Sequence, residues 1–127
     1  MPQTDVYFYK DDDGSVPVLE WLLELRKRNE RAARKCFGLI TLLRTFGHEL
    51  RRPRADMLRD GVYELRTEVA NVNYRILYGF VGKDATILTS GLTKKKTVPT
   101  AEIERARARI AKYIDNPTQH QFIYEEE

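Results

Sequence analysis

The chain is poor in cysteine: it has one, Cys36, among 127 residues. A single thiol excludes an internal disulfide framework, and its place in an apolar helical pattern points to a small buried thiol in a reducing compartment. Long apolar runs are also missing, and nothing approaches the roughly 20 residues needed to span a bilayer. The first ten residues lack the charged and apolar halves of a signal peptide, so a cytoplasmic protein without a membrane role is expected. There is no internal repeat and no low-complexity segment. Histidine is scarce too: only His48 and His120 occur, one in a loop and one in the tail, and both read as incidental.

What is present is the composition of a soluble globular chain, 42% hydrophobic and 32% charged. Its length fits one domain, 1–127, with a core that needs no metal or disulfide. Net charge is only +3, but it is unevenly spread. Residues 1–20 carry 1 basic and 5 acidic side chains, 21–60 carry 11 and 5, 61–100 carry 6 and 3, and 101–127 carry 4 and 6. A basic middle favours a polyanionic partner, although solvated helix faces give the same signal.

Along the chain, VYFYK (6–10) reads as a short strand that exits through the acidic turn DDDG. Pro17 opens a helix carrying Val18, Leu22 and Leu25 at helical spacing and ending near Asn29. A longer helix follows, with Ala32, Cys36, Leu39, Leu43 and Phe46 as its apolar stripe and Gly47 as its C-cap. Residues 48–61 have no sustained period and read as a basic loop with Arg51, Arg52, Arg54 and Arg59. Three strand-like runs then come close together, at 61–69, 71–81 and 84–92. The connections at Ala70–Asn71 and Gly82–Lys83 are short enough that only antiparallel hairpins fit. A last helix begins near Pro99, with Ile103, Ala106, Ile110 and Tyr113 on its buried edge. The tail after about residue 117 reads as loosely held.

The expected fold is therefore α+β, in the order βααβββα, with helices packed on one face of an antiparallel sheet. Strand alternation turns Tyr63, Leu65 and Val69 to the core and Glu64, Arg66 and Glu68 to the uncovered face, where Arg75 joins them. Lys94, Lys95 and Lys96 leave the third hairpin strand near that face. Glu64 and Glu68 read as exposed partners of arginines, each pair contributing only about 0.2–1 kcal/mol.

Four runs in order, GVYELR (61–66), YRILY (74–78), GLTKK (91–95) and TAEIERA (100–106), resemble the RelE/ParE toxin superfamily, specifically its HigB-like branch related to phage proteins of the Gp49 type. The resemblance is clear over 58–109 and architectural over 1–57. It implies the toxin of a type II toxin–antitoxin pair: a metal-independent endoribonuclease without cofactor that cuts mRNA in the ribosomal decoding site. Its implied partners are a cognate helix-turn-helix (HigA-like) antitoxin, mRNA and the ribosome. On that reading Arg66 holds the scissile phosphate and Arg75 assists, unless Arg75 is a scaffold element. Lys94, Lys95 and Lys96 share phosphate contact and proton transfer, and Arg51, Arg52, Arg54, Arg59 and Ser90 bind RNA. Ser90 and Leu92 stand where many relatives carry the histidine and phenylalanine of H-G-F, so a histidine acid or base is missing there. Two other functions stay open, a ParE-like inhibitor of DNA gyrase and an inactive phage-derived binding module, because one scaffold serves several activities.

Overall fold

A computed structural model describes residues 4–94 and 97–124. Strand β1 (Asp5–Tyr9) leads into α1 (Pro17–Arg28) and α2 (Glu30–Phe46). One residue, Asn29, separates the two helices: its backbone N–H caps the end of α1 on Leu25 O, and its side chain accepts from Ala32 N at 3.1 Å to start α2. Gly47 caps α2 with φ of 53°, as glycine allows at low cost. After a short 3₁₀ turn come β2 (Ala55–Arg59), β3 (Val62–Val69), β4 (Val72–Val81) and β5 (Ala85–Lys94). Helices α3 (Thr100–Asp115) and α4 (Pro117–His120) and the two-residue β6 (Gln121–Phe122) complete the order.

Among the described residues the sheet has six strands, in the order β2-β3-β4-β5-β1-β6. The α+β class and the meander of β3, β4 and β5 match expectation, and the β3–β4 turn places Ala70 and Asn71 at positive φ. Several features differ. The sheet is mixed rather than antiparallel, because β1 runs parallel to β5, pairing Asp5 with Ala85 through Phe8 with Leu88. Two helices separate β1 from the meander, so no short turn dictates its direction. The basic loop contains β2, a strand of only 5 residues with one shift in register, too short for a period to show. Finally, the tail is docked: β6 pairs with β1, and Tyr124 packs edge-on to Phe8 at 6.1 Å.

Helices also cover both faces rather than one. Helices α1 and α2 bury Leu22, Cys36, Ile40 and Leu43 against Leu65, Ile76, Tyr78 and Leu88. On the opposite face α3 buries Ile103 and Ala106 against Val62, Leu77 and Leu92, and Tyr113 against Tyr9 and Ile87. The cause is in the strands themselves, since β4 and β5 are apolar on both sides near their middle, the pattern of a sheet buried twice over. A bulge in β5 completes the arrangement. Leu77 pairs with Ser90 but Tyr78 pairs with Leu88, so Thr89 is an extra residue and the facing of β5 inverts across it. Ile87 lies under α3 before the bulge; Gly91 faces α1 after it. Among the described residues no helix is long and apolar enough to cross a membrane.

Candidate functional site

The antiparallel register of β3 and β4 sets Arg66 directly opposite Arg75. Two like charges so placed repel, and the structure answers with a carboxylate. Glu64, two residues before Arg66 on the same face, accepts a hydrogen bond from Arg75 Nη1 at 2.7 Å. Its other oxygen lies 4.0 Å from Arg66 Nη1. The side chains of Arg75 and Glu64 are only 7% and 5% exposed, whereas that of Arg66 is 41% exposed. Glu64 is thus a buried hub, not the exposed partner its strand position implied. Arg75, expected beside Arg66 on an open face, is enclosed and ion-paired, because α3 covers much of that face.

Arg66 stands at the rim of a groove. Strand β2 pairs with β3 only from Arg59↔Val62 to Ala55↔Leu65, so β3 becomes an edge at Arg66. There the Arg66 N–H donates to Arg54 O at 2.9 Å, which draws the turn before β2 against the strand. The groove between this turn, the β3 edge and α2 holds about 480 Å³. Lys35, Arg54 and Arg66 bring three cations to it and Glu68 one carboxylate, with Pro53, Thr67 and Asn73 completing the wall. Lys35 came from outside the sequence expectation: its Nζ donates to Glu68 O at 3.4 Å, and only the packing of α2 over β3 brings it here. Asn73 is also the register partner of Lys94, the last residue of β5, so that strand ends beside the groove. The side chain of Lys94, and Lys95 and Lys96 entirely, lie outside the described residues.

The four loop arginines divide into two kinds. Arg52 forks onto Asp56 with bonds of 3.0 and 2.7 Å, and that hydrogen bond holds the Asp56 carboxyl below its usual range. Arg59 bonds Glu104 of α3 at 3.1 Å. Arg51 and Arg54 are exposed and make no ion pair among the described residues. Ser90, expected to touch RNA, is buried beneath α3: its hydroxyl accepts from Arg109 Nη1 at 3.2 Å. The same Nη1 donates to Thr89 O at 2.7 Å, and the guanidinium lies over the Tyr9 ring at 5.6 Å. Burial lowers the Arg109 pKa. A lone arginine on a helix face carried no sign of this anchoring role, which depends on the bulge.

The histidines also separate. His120 is buried, stacked on Tyr9 at 5.5 Å, with Nδ1 2.8 Å from Lys10 O. His48 is exposed and stacks on Phe80 at 3.6 Å. Tyr113 is core, and Tyr124 folds back onto Phe8 and Phe37.

A half-exposed guanidinium, 4.0 Å from a buried carboxylate and flanked by two further cations, is suited to hold a phosphate diester. The family model for phage-derived Gp49-like proteins (DUF891) matches residues 20–111, from α1 into α3 and including every residue of the groove. No curated protein matches the chain. The matched family is associated with the toxins of toxin–antitoxin systems, which generally pair with an antitoxin. With the match covering most of its length, the chain belongs to the phage-derived Gp49-like family of the RelE/ParE-like toxin superfamily.

Proposed function

We propose that this chain is a HigB-like toxin that cuts mRNA in the ribosomal decoding site without a metal, blocks translation in the cytoplasm, and is restrained by a small helix-turn-helix antitoxin of the HigA type. One observation carries the reading: Arg66 is exposed at a groove with Lys35 and Arg54, with the buried Glu64 carboxylate 4.0 Å behind it. In the reaction the ribose 2′-oxygen attacks the adjacent phosphorus, the bond to the 5′-oxygen breaks, and a 2′,3′-cyclic phosphate forms. One proton must leave the 2′-hydroxyl and one must reach the 5′-oxygen.

Arg66 holds the non-bridging oxygens as charge gathers on them, the kind of donor whose loss typically costs 10²–10³ in rate. Lys94, Lys95 and Lys96 handle phosphate contact and proton transfer, since crowded ammonium groups lose protons more readily than isolated ones. Arg75 supports this site through Glu64 rather than by touching RNA. Arg51 and Arg54 take backbone phosphates of message or ribosomal RNA, contacts that give affinity without sequence preference, while Arg52 and Arg59 are already engaged by Asp56 and Glu104 and reach RNA only by leaving those partners. Ser90 falls out of the RNA-binding set because it is buried.

Inducing the protein in cells and mapping message 5′ ends tests the proposal. Cuts within translated codons, lost in a folded Arg66→Ala chain, are expected. DNA damage signalling with intact messages replaces it with gyrase inhibition, and unaffected growth replaces it with an inactive binding module.

A further inference from the structure

The turn at 51–54 divides two grooves. Lys35, Arg54 and Arg66 face the first; on the other side lies a second of about 410 Å³, walled by Leu50, Arg51, Ala55, Met57, Tyr63 and His48. Its two aromatic members, Tyr63 and His48, are backed by Tyr78 and Phe80, and the four rings form a ladder from core to surface. Tyr78 stacks with Tyr63 at 5.5 Å, Tyr63 meets Phe80 edge-on at 5.1 Å, and Phe80 stacks with His48 at 3.6 Å and 21°. The imidazole is the exposed outer rung, its inner face against Phe80. Met57, 55% exposed, supplies an apolar wall on the edge strand β2. Arg52 and Asp56 also line this groove but neutralise one another through their fork. That leaves the exposed Arg51, which makes no ion pair among the described residues, as its uncompensated charge.

An exposed planar ring, an apolar wall and one cation match the three parts of a nucleotide: base, sugar and phosphate. Aromatic stacking beside a basic groove is how single-stranded RNA is held without reading its sequence. We propose that the groove of His48, Met57 and Arg51 is a base-stacking subsite for a nucleotide flanking the phosphate at Arg66. The inference rests on the nuclease reading, in which the strand crosses the 51–54 turn. Charge favours RNA over an apolar peptide, because a peptide strand laid on β2 gains nothing from Arg51.

Binding of a short single-stranded RNA, made uncleavable by 2′-O-methyl groups, tests this by fluorescence anisotropy across a salt series. His48→Ala is expected to weaken binding about 5-fold or more with the salt slope unchanged, and His48→Phe to restore it. Arg51→Ala weakens binding and reduces the slope by about one phosphate. An RNA carrying 5-iodouridine cross-links to His48, Met57 or Tyr63. Unchanged affinity in a folded His48→Ala chain, with cross-links elsewhere, overturns the subsite. So does a His48→Ala chain that binds RNA normally but no longer pairs with its antitoxin, since a protein then occupies the groove. Cleavage in cells that depends on Arg66 but not on His48 defeats the subsite and spares the nuclease; cross-linking here without cleavage does the reverse.

Discussion

Among single residues, Glu64 has the largest consequences. A carboxylate buried against Arg75 is hard to replace, because removing it takes from a guanidinium in a low-dielectric site the oxygen it bonds at 2.7 Å. Breaking such a pair costs about 3–5 kcal/mol. Glu64→Ala should lower the unfolding free energy from denaturant titration by that much and, on the proposed nuclease reading, weaken RNA cleavage beyond the loss of folded protein, since Arg66 loses its neighbour. Glycine offers a sharp contrast at two positions. A Cβ at Gly91 would sit 2.3 Å from Trp21 Cδ2, so the Trp21 ring lies flat on β5 only because that side chain is absent. Gly91→Ala should cost about 1–3 kcal/mol in thermal or denaturant unfolding. Gly38, exposed in α2, meets nothing within 4 Å, and Gly38→Ala should stabilise by about 0.5–1 kcal/mol in the same measurement. The exposure of Arg66 was legible from strand alternation. The burial of Arg75 was not, because alternation gives a face and not what covers it.

At the scale of elements, α3 and the tail decide what remains open. Helix α3 closes the second sheet face over Leu77, Ile87 and Leu92, and leaves Arg66 free only near the β3 edge. The tail holds β1 from its outer side: Lys10 N–H donates to His120 O at 3.0 Å, while the His120 ring meets Lys10 O. Outside this contact Lys112 bonds Asp12 at 2.5 Å, which keeps the Asp12 carboxyl below its usual range. His120→Ala should cost about 1–3 kcal/mol by stranding the Lys10 carbonyl, and amide exchange along β1 should quicken while α2 stays protected. The docked tail escaped the sequence reading because its segments are too short for a period: α4 has 4 residues and β6 has 2.

For the molecule as a whole, the core contains acids that burial keeps protonated. The Cys36 thiol is pushed from 9.0 to about 12 by desolvation. Desolvation is also the first cause raising the Tyr78, Tyr9 and Tyr113 phenols above 10.0. Unfolding frees these groups to ionise at their ordinary values, so above about pH 9 the unfolded chain binds fewer protons than the folded one. The stability they contribute is complete below those values and falls as pH rises toward the folded ones. Midpoints measured from pH 7 to 11 should therefore decline above about pH 9, with Cys36 unreactive to thiol reagents until the chain opens. The sequence by itself determined the three long helices, the meander, the single buried thiol and the outward facing of Arg66, because each is written in a local period, a cap or a short turn. Only the tertiary structure decided the parallel seat of β1, the cover over Arg75 and Ser90, and the meeting of Lys35 with Arg54 and Arg66. Those depend on which distant surfaces bury one another, and on a one-residue bulge that reverses a strand's facing.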